Sequence, residues 1–137
     1  MKTIILLFAA ILAAGCTSNA GPQPSTPAQA QAVTDEARLA AALSGRIAGP
    51  PQGCIDSAHL DDNTYVGGVI LFRDRVHDVI WLNRTTGGCS GLNFGRALKF
   101  TGPQLCRESV VTVVDPATGR EDGACGLGEF TPYRPAR

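Results

Sequence analysis

The sequence predicts a mainly β fold: a small antiparallel meander or partly open barrel of about six strands, closed by two disulfides and preceded by a short helix and a disordered tether. Short runs of β-branched and aromatic residues alternate with polar turns over residues 50–137, which is typical of consecutive antiparallel strands. This alternation leaves no room for crossover helices, so a parallel α/β fold is not expected. An even set of four cysteines in the same region predicts two disulfides.

Residues 1–15 have the composition of an export signal. Lys2 supplies the positive start, and an apolar run of eleven residues follows from Ile4 to Ala14. A membrane-spanning helix needs about twenty such residues, so the run suits a cleaved signal peptide better than a membrane span.

The leader ends in AAGC at residues 13–16, which resembles the lipobox of bacterial lipoproteins. The resemblance implies a diacylglycerol on the thiol of Cys16, cleavage before that residue and acylation of the new N-terminus. Each buried CH₂ contributes about 0.8 kcal/mol, so two or three acyl chains would hold the protein on a membrane. In lipoproteins, an Asp directly after the lipidated cysteine implies retention at the inner membrane. This chain has Thr17 at that position, so the resemblance implies the outer membrane. An ordinary signal peptide cut near residue 14 or 20, with Cys16 incidental, is the alternative.

Residues 16–33 are predicted to be a disordered tether, because the segment after the cysteine has three prolines and no charged or aromatic residue. Residues 34–49 predict a short helix that either packs on the domain or remains a spacer. Thr34 is its candidate N-cap, and the acidic residues after it suit the positive end of the helix dipole. Leu39 and Leu43 lie on its apolar face, and the prolines at residues 50–51 prevent its continuation.

The disulfide-stapled β domain is predicted over residues 50–137. Its strands are expected at residues 54–60, 64–72, 76–83, 96–100, 109–115 and 123–130, with turns at residues 61–63, 73–75 and 115–119. If Phe72 faces Val76, Gly67 lies opposite Trp81, and the tryptophan ring would cover the glycine within the core.

The five cysteines are predicted to have two roles, one as a lipid attachment site and four as partners in disulfides. With Cys16 assigned to lipid, the other four are expected to pair in an oxidising periplasm. Their order along a meander favours Cys54–Cys106 with Cys89–Cys125, and the other two pairings stay open. Zinc ligation by these four is not expected, because none of them is separated from the next by the about two to four residues typical of zinc sites.

The stretch from Cys54 to Phe130 resembles a family of small bacterial exported proteins and lipoproteins containing a four-cysteine domain of unknown function. The resemblance rests on the cysteines and on the segments DDNT at residues 61–64, WLNRTTGGCSGL at 81–92 and CGLGEF at 125–130. It implies a β domain with two disulfides and carries no catalytic or ligand-binding residue over to this chain.

Charge and motifs predict no catalytic residue, metal ligand or cofactor. Twelve acidic and twelve basic residues balance, and one of the basic residues, Lys2, lies in the leader, so nucleic acid is not an expected partner. Residues 87–91 match the glycine-nucleophile-glycine elbow of hydrolases, with Cys89 as the nucleophile. That elbow follows a central parallel strand and opens a helix, whereas a disulfide loop explains the glycines here.

The sequence therefore predicts a lipid-anchored protein on the periplasmic face of the envelope that binds or stabilises another envelope protein, peptidoglycan or a small ligand. The alternative is a small periplasmic hydrolase or metal-dependent enzyme that uses His59, Asp61 or His77. A purely structural envelope protein is a third interpretation. A pocket holding two of these polar side chains would favour the enzyme, and an exposed sheet edge or apolar patch would favour binding.

Overall fold

The computed structural model describes residues 26–137, except Gly88 and Ser90. The predicted signal peptide, Cys16 and most of the predicted tether lie outside this range. The described residues form α1 (Pro27–Ala42), β1 (Arg46–Ala48), β2 (Cys54–Asp56), β3 (Leu60–Val66), β4 (Val69–Asp74), β5 (Val79–Arg84), a 3-10 helix (Leu92–Phe94), β6 (Ala97–Lys99), β7 (Gln104–Cys106), β8 (Val110–Val114), β9 (Glu121–Gly126) and β10 (Phe130–Pro135). No helix in this part of the chain has the length and apolar character needed to cross a bilayer.

The predicted mainly β, antiparallel fold is confirmed. The main sheet has the strand order β1-β10-β5-β4-β3, in which β3, β4 and β5 follow one another as a meander. Strand β10 returns from the C-terminal end to pair with β5. A second sheet has the order β6-β8-β9, and β2 pairs with β7 as a ribbon. The strands outnumber the six expected because several span only three residues, too few for an alternating pattern to be seen.

Both faces of the main sheet are covered, which explains why its central strands read as unbroken apolar runs. One face shares a core with the second sheet, and this core includes Ile70, Phe72, Trp81, Val111, Val113 and Phe130. The other face is covered by Leu39 and Leu43 of α1, which pack against Val69, Leu71, Ile80 and Leu82. The helix therefore docks on the β domain, which settles the choice left open between docking and a spacer.

Helix α1 begins before and ends before the range predicted for it. Thr26, rather than Thr34, is the N-cap, and its hydroxyl accepts from the backbone N–H of Gln29 in a capping box. Residues 27–33, predicted as tether, are helical because alanine and glutamine favour a helix once it is capped. Arg46–Ala48 forms strand β1 instead of a last helical turn, since it pairs with the end of β10.

The first hairpin also differs from the prediction. Residues 64–72 are not one strand, because Gly67 and Gly68 form a two-residue turn with φ of 54° and 86° between β3 and β4. Strand β3 extends back through residues 61–63, which were predicted as a turn. Phe72 therefore pairs with Trp81 rather than Val76, and Trp81 does not cover Gly67. Trp81 is nevertheless buried in the core, as predicted.

In the C-terminal part, the predicted turn is present, whereas β7 and all of β10 after Phe130 lie outside the predicted strands. The turn at residues 115–119 joins β8 to β9, with Gly119 at a φ of 71°. Strand β10 carries two prolines, which weaken its sequence signal although its residues lie between β1 and β5. The side chain of Asn83 holds the segment before β10 in place. Its Oδ1 accepts from the backbone N–H of Gly128 at 2.9 Å, and its Nδ2 donates to the C=O of Gly128 at 2.8 Å.

Two disulfides lie within the described residues, Cys54–Cys106 and Cys89–Cys125, which is the pairing that the order along the meander favours. Cys54 and Cys106 lie directly opposite each other in the β2–β7 ribbon. Cys89 and Cys125 are both buried and tie the loop after β5 to β9. The first disulfide therefore cross-links the two strands of the small ribbon, and the second joins the second sheet to the segment that follows the main sheet.

Candidate functional site

A buried aspartate orients an exposed histidine at the end of β4. The side chain of Asp74 is 8% exposed, and that of His77, in the following turn, is 59% exposed. His77 Nδ1 lies 2.8 Å from Asp74 Oδ2, and the backbone N–H of His77 donates to Asp74 Oδ1 at 3.0 Å. Because a carboxylate only accepts, Nδ1 carries the proton in this contact and Nε2 is the ring nitrogen left for another partner.

The hydrogen bonds around Asp74 keep it ionised. Burial works to raise the pKa of Asp74, but the His77 ring and backbone N–H, together with the charges of His77 and His59, outweigh it. The pKa of Asp74 therefore lies below its ordinary range. The negatively charged carboxylate of Asp74 therefore lies beside Nδ1 of the His77 ring.

The second histidine of the chain lies beside the first. The rings of His59 and His77 meet edge to face, with centroids 5.2 Å apart and planes 70° apart. Strand pairing brings them together, because Leu60 at the start of β3 lies opposite Asp74 at the end of β4. We call His59, His77 and the buried Asp74 the histidine pair and its aspartate.

Two of the three side chains named for the enzyme alternative are therefore neighbours, and the third is engaged elsewhere. Asp61 Oδ2 accepts from Arg75 Nε at 2.8 Å. Within the described part of the chain, neither imidazole is hydrogen-bonded to a hydroxyl or thiol that could act as a nucleophile. Cys89 is disulfide-bonded and has no thiol to offer, and Ser90 lies outside the described residues.

No set of three or more His, Cys, Asp or Glu side chains is placed to hold a metal ion in the part of the chain that the structure describes. His59 lies in the turn before β3, whereas the two aspartates that follow it, Asp61 and Asp62, belong to that strand. The histidine pair brings two imidazoles together without a third such ligand.

A second feature is a polar groove of about 570 Å³ between α1 and the free edge of β3. Its walls come from three segments of the chain: Gln31, Asp35 and Arg38 of α1, Asn63, Thr64 and Tyr65 of β3, and Leu92, Gly95 and Arg96 of the 3-10 helix and the residues that follow it. β3 is the last strand of the main sheet, so its outer edge faces this groove. The groove has no signature in the sequence, because its walls meet only through the docking of α1.

The two arginines of the polar groove differ in whether acidic side chains already bind them. Arg96 is mostly buried, and it bonds Asp115 at 2.6 Å and Asp122 at 2.7 Å. Arg38 is exposed, with its nearest acidic group, that of Asp35, at 3.7 Å. Arg38 is therefore the cation that the groove can offer to a ligand, whereas Arg96 holds its far wall in place.

The turn at residues 115–119 predicts a measurable pH effect. Backbone N–H groups of Ala117 and Thr118, with help from Arg96, hold the pKa of Asp115 below its ordinary value. A lowered folded-state pKa stabilises the fold above about pH 4, and that stabilisation is lost as pH falls through the folded-state value. We expect Asp115→Asn to show a smaller drop in melting temperature than wild type between pH 7 and pH 2.5, followed by circular dichroism. Parallel pH profiles for the two proteins would contradict this.

No protein-family model, curated protein or solved structure matches this chain. The resemblance to exported proteins with a four-cysteine domain therefore stays a prediction.

Proposed function

We propose that this chain is an exported lipoprotein, anchored through Cys16 to the periplasmic face of the envelope. We further propose that its β domain binds a partner there and does not catalyse a reaction. One observation carries the proposal: both disulfides lie in the β domain and use four of the five cysteines. Structural disulfides persist in oxidising compartments, which supports export. The fifth cysteine is the one that follows an apolar leader and small residues, which supports its lipidation.

The polar groove supports binding of a polar envelope component, either peptidoglycan or another protein. Its lining offers hydrogen-bonding groups from Asn63, Thr64 and Tyr65 and the exposed charge of Arg38. Its volume falls within the range of about 300–1,000 Å³ that is usual for ligand sites. A lipid anchor would raise the effective concentration of the groove near such partners.

Crosslinking in intact cells tests the role of the groove. A photo-crosslinking residue in place of Gln31, an exposed residue that lines the groove, leaves Arg38 in place and is expected to capture a defined envelope component. The same residue in place of Val110, which is exposed on the second sheet, is the matched control. Equal capture at both positions would contradict a binding role for the groove.

The histidine pair favours one alternative, a small periplasmic hydrolase or metal-dependent enzyme. An imidazole oriented by a buried carboxylate is the arrangement of a general base. The alternative predicts that His77→Gln abolishes turnover of a substrate while leaving partner capture at position 31 unchanged.

Replacing Cys16 tests the anchor. Wild type is expected to incorporate labelled palmitate and to remain with membranes, because acyl chains bury many CH₂ groups. Cys16→Ser, which lacks the thiol, is expected to lose the label and to be released. Thr17→Ser, which keeps Cys16, is the matched control. A wild-type protein that is unlabelled and soluble would overturn the proposal.

A further inference from the structure

We propose that the polar groove binds an extended segment of another envelope protein, which pairs with the outer edge of β3 as an added strand of the main sheet and carries an acidic side chain for Arg38. The inference rests on the proposed binding function and names the partner of the same site as a protein rather than peptidoglycan. Addition of a strand to an exposed sheet edge is a recurrent way in which proteins bind peptides.

β3 is the longest strand at a sheet edge within the described residues. It spans seven residues, whereas β1 at the other end of the main sheet and β6 at one end of the second sheet span three each. The edge of β9 is partly occupied, because Gly126 bridges Thr86. A long strand edge is a template for another chain, and charged residues discourage such pairing. Asp61, Asp62 and a register shift lie at the start of β3, which leaves residues 63–66 as the part suited to pairing.

Alternate residues of β3 direct their backbone N–H and C=O groups to the outer edge. The two-residue turn after β3 makes Val66 part of a hydrogen-bonded pair with β4, and such pairs recur at every second residue. The backbone groups of Thr64 and Val66 are therefore used within the sheet, whereas those of Asn63 and Tyr65 point outward. Among the described residues, the Asn63 N–H has a partner, Asp62 Oδ1 at 2.7 Å. A strand placed opposite Tyr65 would exchange two hydrogen bonds with it and donate a third to the C=O of Asn63.

The groove has the dimensions of a short strand. A strand residue takes up about 160 Å³ at the usual spacings of about 4.8 Å between strands, about 10 Å between layers and about 3.4 Å along the strand. The groove of about 570 Å³ therefore has room for three or four residues. Residues of α1 form one side of the groove and residues 92–96 line another, so the added strand would lie between them with one backbone edge toward β3.

The α1 side of the groove favours an acidic side chain in the partner. Gln31, Asp35 and Arg38 line this side at the spacing of successive helical turns. The Gln31 side chain donates to Asp35 Oδ1 at 3.2 Å, while Arg38 Nη1 lies 3.7 Å from the same oxygen and stays exposed. A carboxylate of the partner would therefore form a charge-assisted hydrogen bond with Arg38.

The first experiment identifies what the photo-crosslinking residue at position 31 captures in intact cells. Mass spectrometry is expected to place all adducts in one short segment of one envelope protein that contains Asp or Glu. Tyr65→Pro lacks the outward N–H and is expected to lose capture, although proline is tolerated at such edge positions. Tyr65→Ala loses the same side chain but keeps the N–H, so it is the matched control and is expected to retain capture. Near-ultraviolet circular dichroism shows whether each variant keeps the fold.

A synthetic peptide that copies the captured segment tests strand pairing without altering this chain. Every second amide of an added strand faces β3, so N-methylation of one alternate set is expected to weaken binding to the full chain, purified from membranes in detergent, by about tenfold or more. N-methylation of the other set is the matched control and is expected to have a much smaller effect. Changing the acidic side chain of the peptide to its amide is expected to weaken binding to wild type but not to Arg38→Gln.

Equal capture at positions 31 and 110 would overturn both the binding role of the groove and strand addition. A captured peptidoglycan fragment would leave the binding role intact and overturn strand addition. Strand addition alone is also overturned if the two N-methylated peptides bind equally well, or if a folded Tyr65→Pro captures as much as Tyr65→Ala.

Discussion

Replacing Phe130 by alanine is expected to lower the free energy of unfolding by about 3–5 kcal/mol. Phe130 is fully buried where β10 begins, with its ring centroid 6.0 Å from that of Phe72. Its backbone also pairs with Gln52 and with Asn83, so the surrounding strands cannot easily collapse into the space left by the ring. Urea unfolding, followed by the fluorescence of Trp81, measures the loss.

Phe94→Ala is the matched control for this prediction. Phe94 is 81% exposed on the 3-10 helix, so its removal is expected to change the free energy of unfolding by less than about 0.5 kcal/mol. The core assignment is wrong if the two variants lose similar stability.

Removing the Cys89–Cys125 disulfide through a double alanine variant is expected to cost about 2–5 kcal/mol. This loss in the free energy of unfolding is expected to exceed the loss from removing Cys54–Cys106, even though Cys54–Cys106 spans 52 residues and Cys89–Cys125 spans 36. The difference in loop length is worth only about 0.3 kcal/mol by chain entropy. Cys89 and Cys125 are both buried, so their replacement also leaves a cavity, whereas Cys54 is exposed.

Thermal unfolding of the two double variants measures this order. Each kcal/mol is expected to shift the melting temperature by about 4–8 °C in a domain of this size. Alanine at both positions avoids an unpaired thiol that could form new disulfides. A larger loss from the Cys54–Cys106 pair than from the buried Cys89–Cys125 pair would contradict the burial argument.

The sequence predicted the features that depend on local chemistry. The turn at residues 115–119 follows from an aspartate that accepts backbone N–H groups and a glycine with positive φ. The burial of Trp81 follows from its place in an apolar run. The two disulfides follow from an even set of cysteines after one is set apart.

Features that depend on register could not be predicted from the same patterns. Gly67 and Gly68 lie inside an apolar run that reads as one strand, because both faces of the sheet are buried and the alternation is lost. Because the turn lies at these two glycines, β3 pairs with β4 in a register that places His59 beside His77. The role of Asp74 was missed for the same reason, since a strand-end aspartate has no signature until its partner is known.

The helix boundaries show a different limit. Residues 27–33 are uncharged and follow a proline-rich segment, which is typical of a tether, yet the capping box at Thr26 starts a helix there. Strand β1 was missed because Arg46–Ala48 is a strand only through pairing with β10, far along the chain.

The division of the cysteines is tested most directly by mass spectrometry of the protein purified from membranes without reduction. The account predicts an N-terminal peptide that begins at an acylated Cys16, and two cross-linked peptides that join Cys54 to Cys106 and Cys89 to Cys125. An intact leader before an unmodified Cys16, or reduced thiols at the four positions of the β domain, would contradict it.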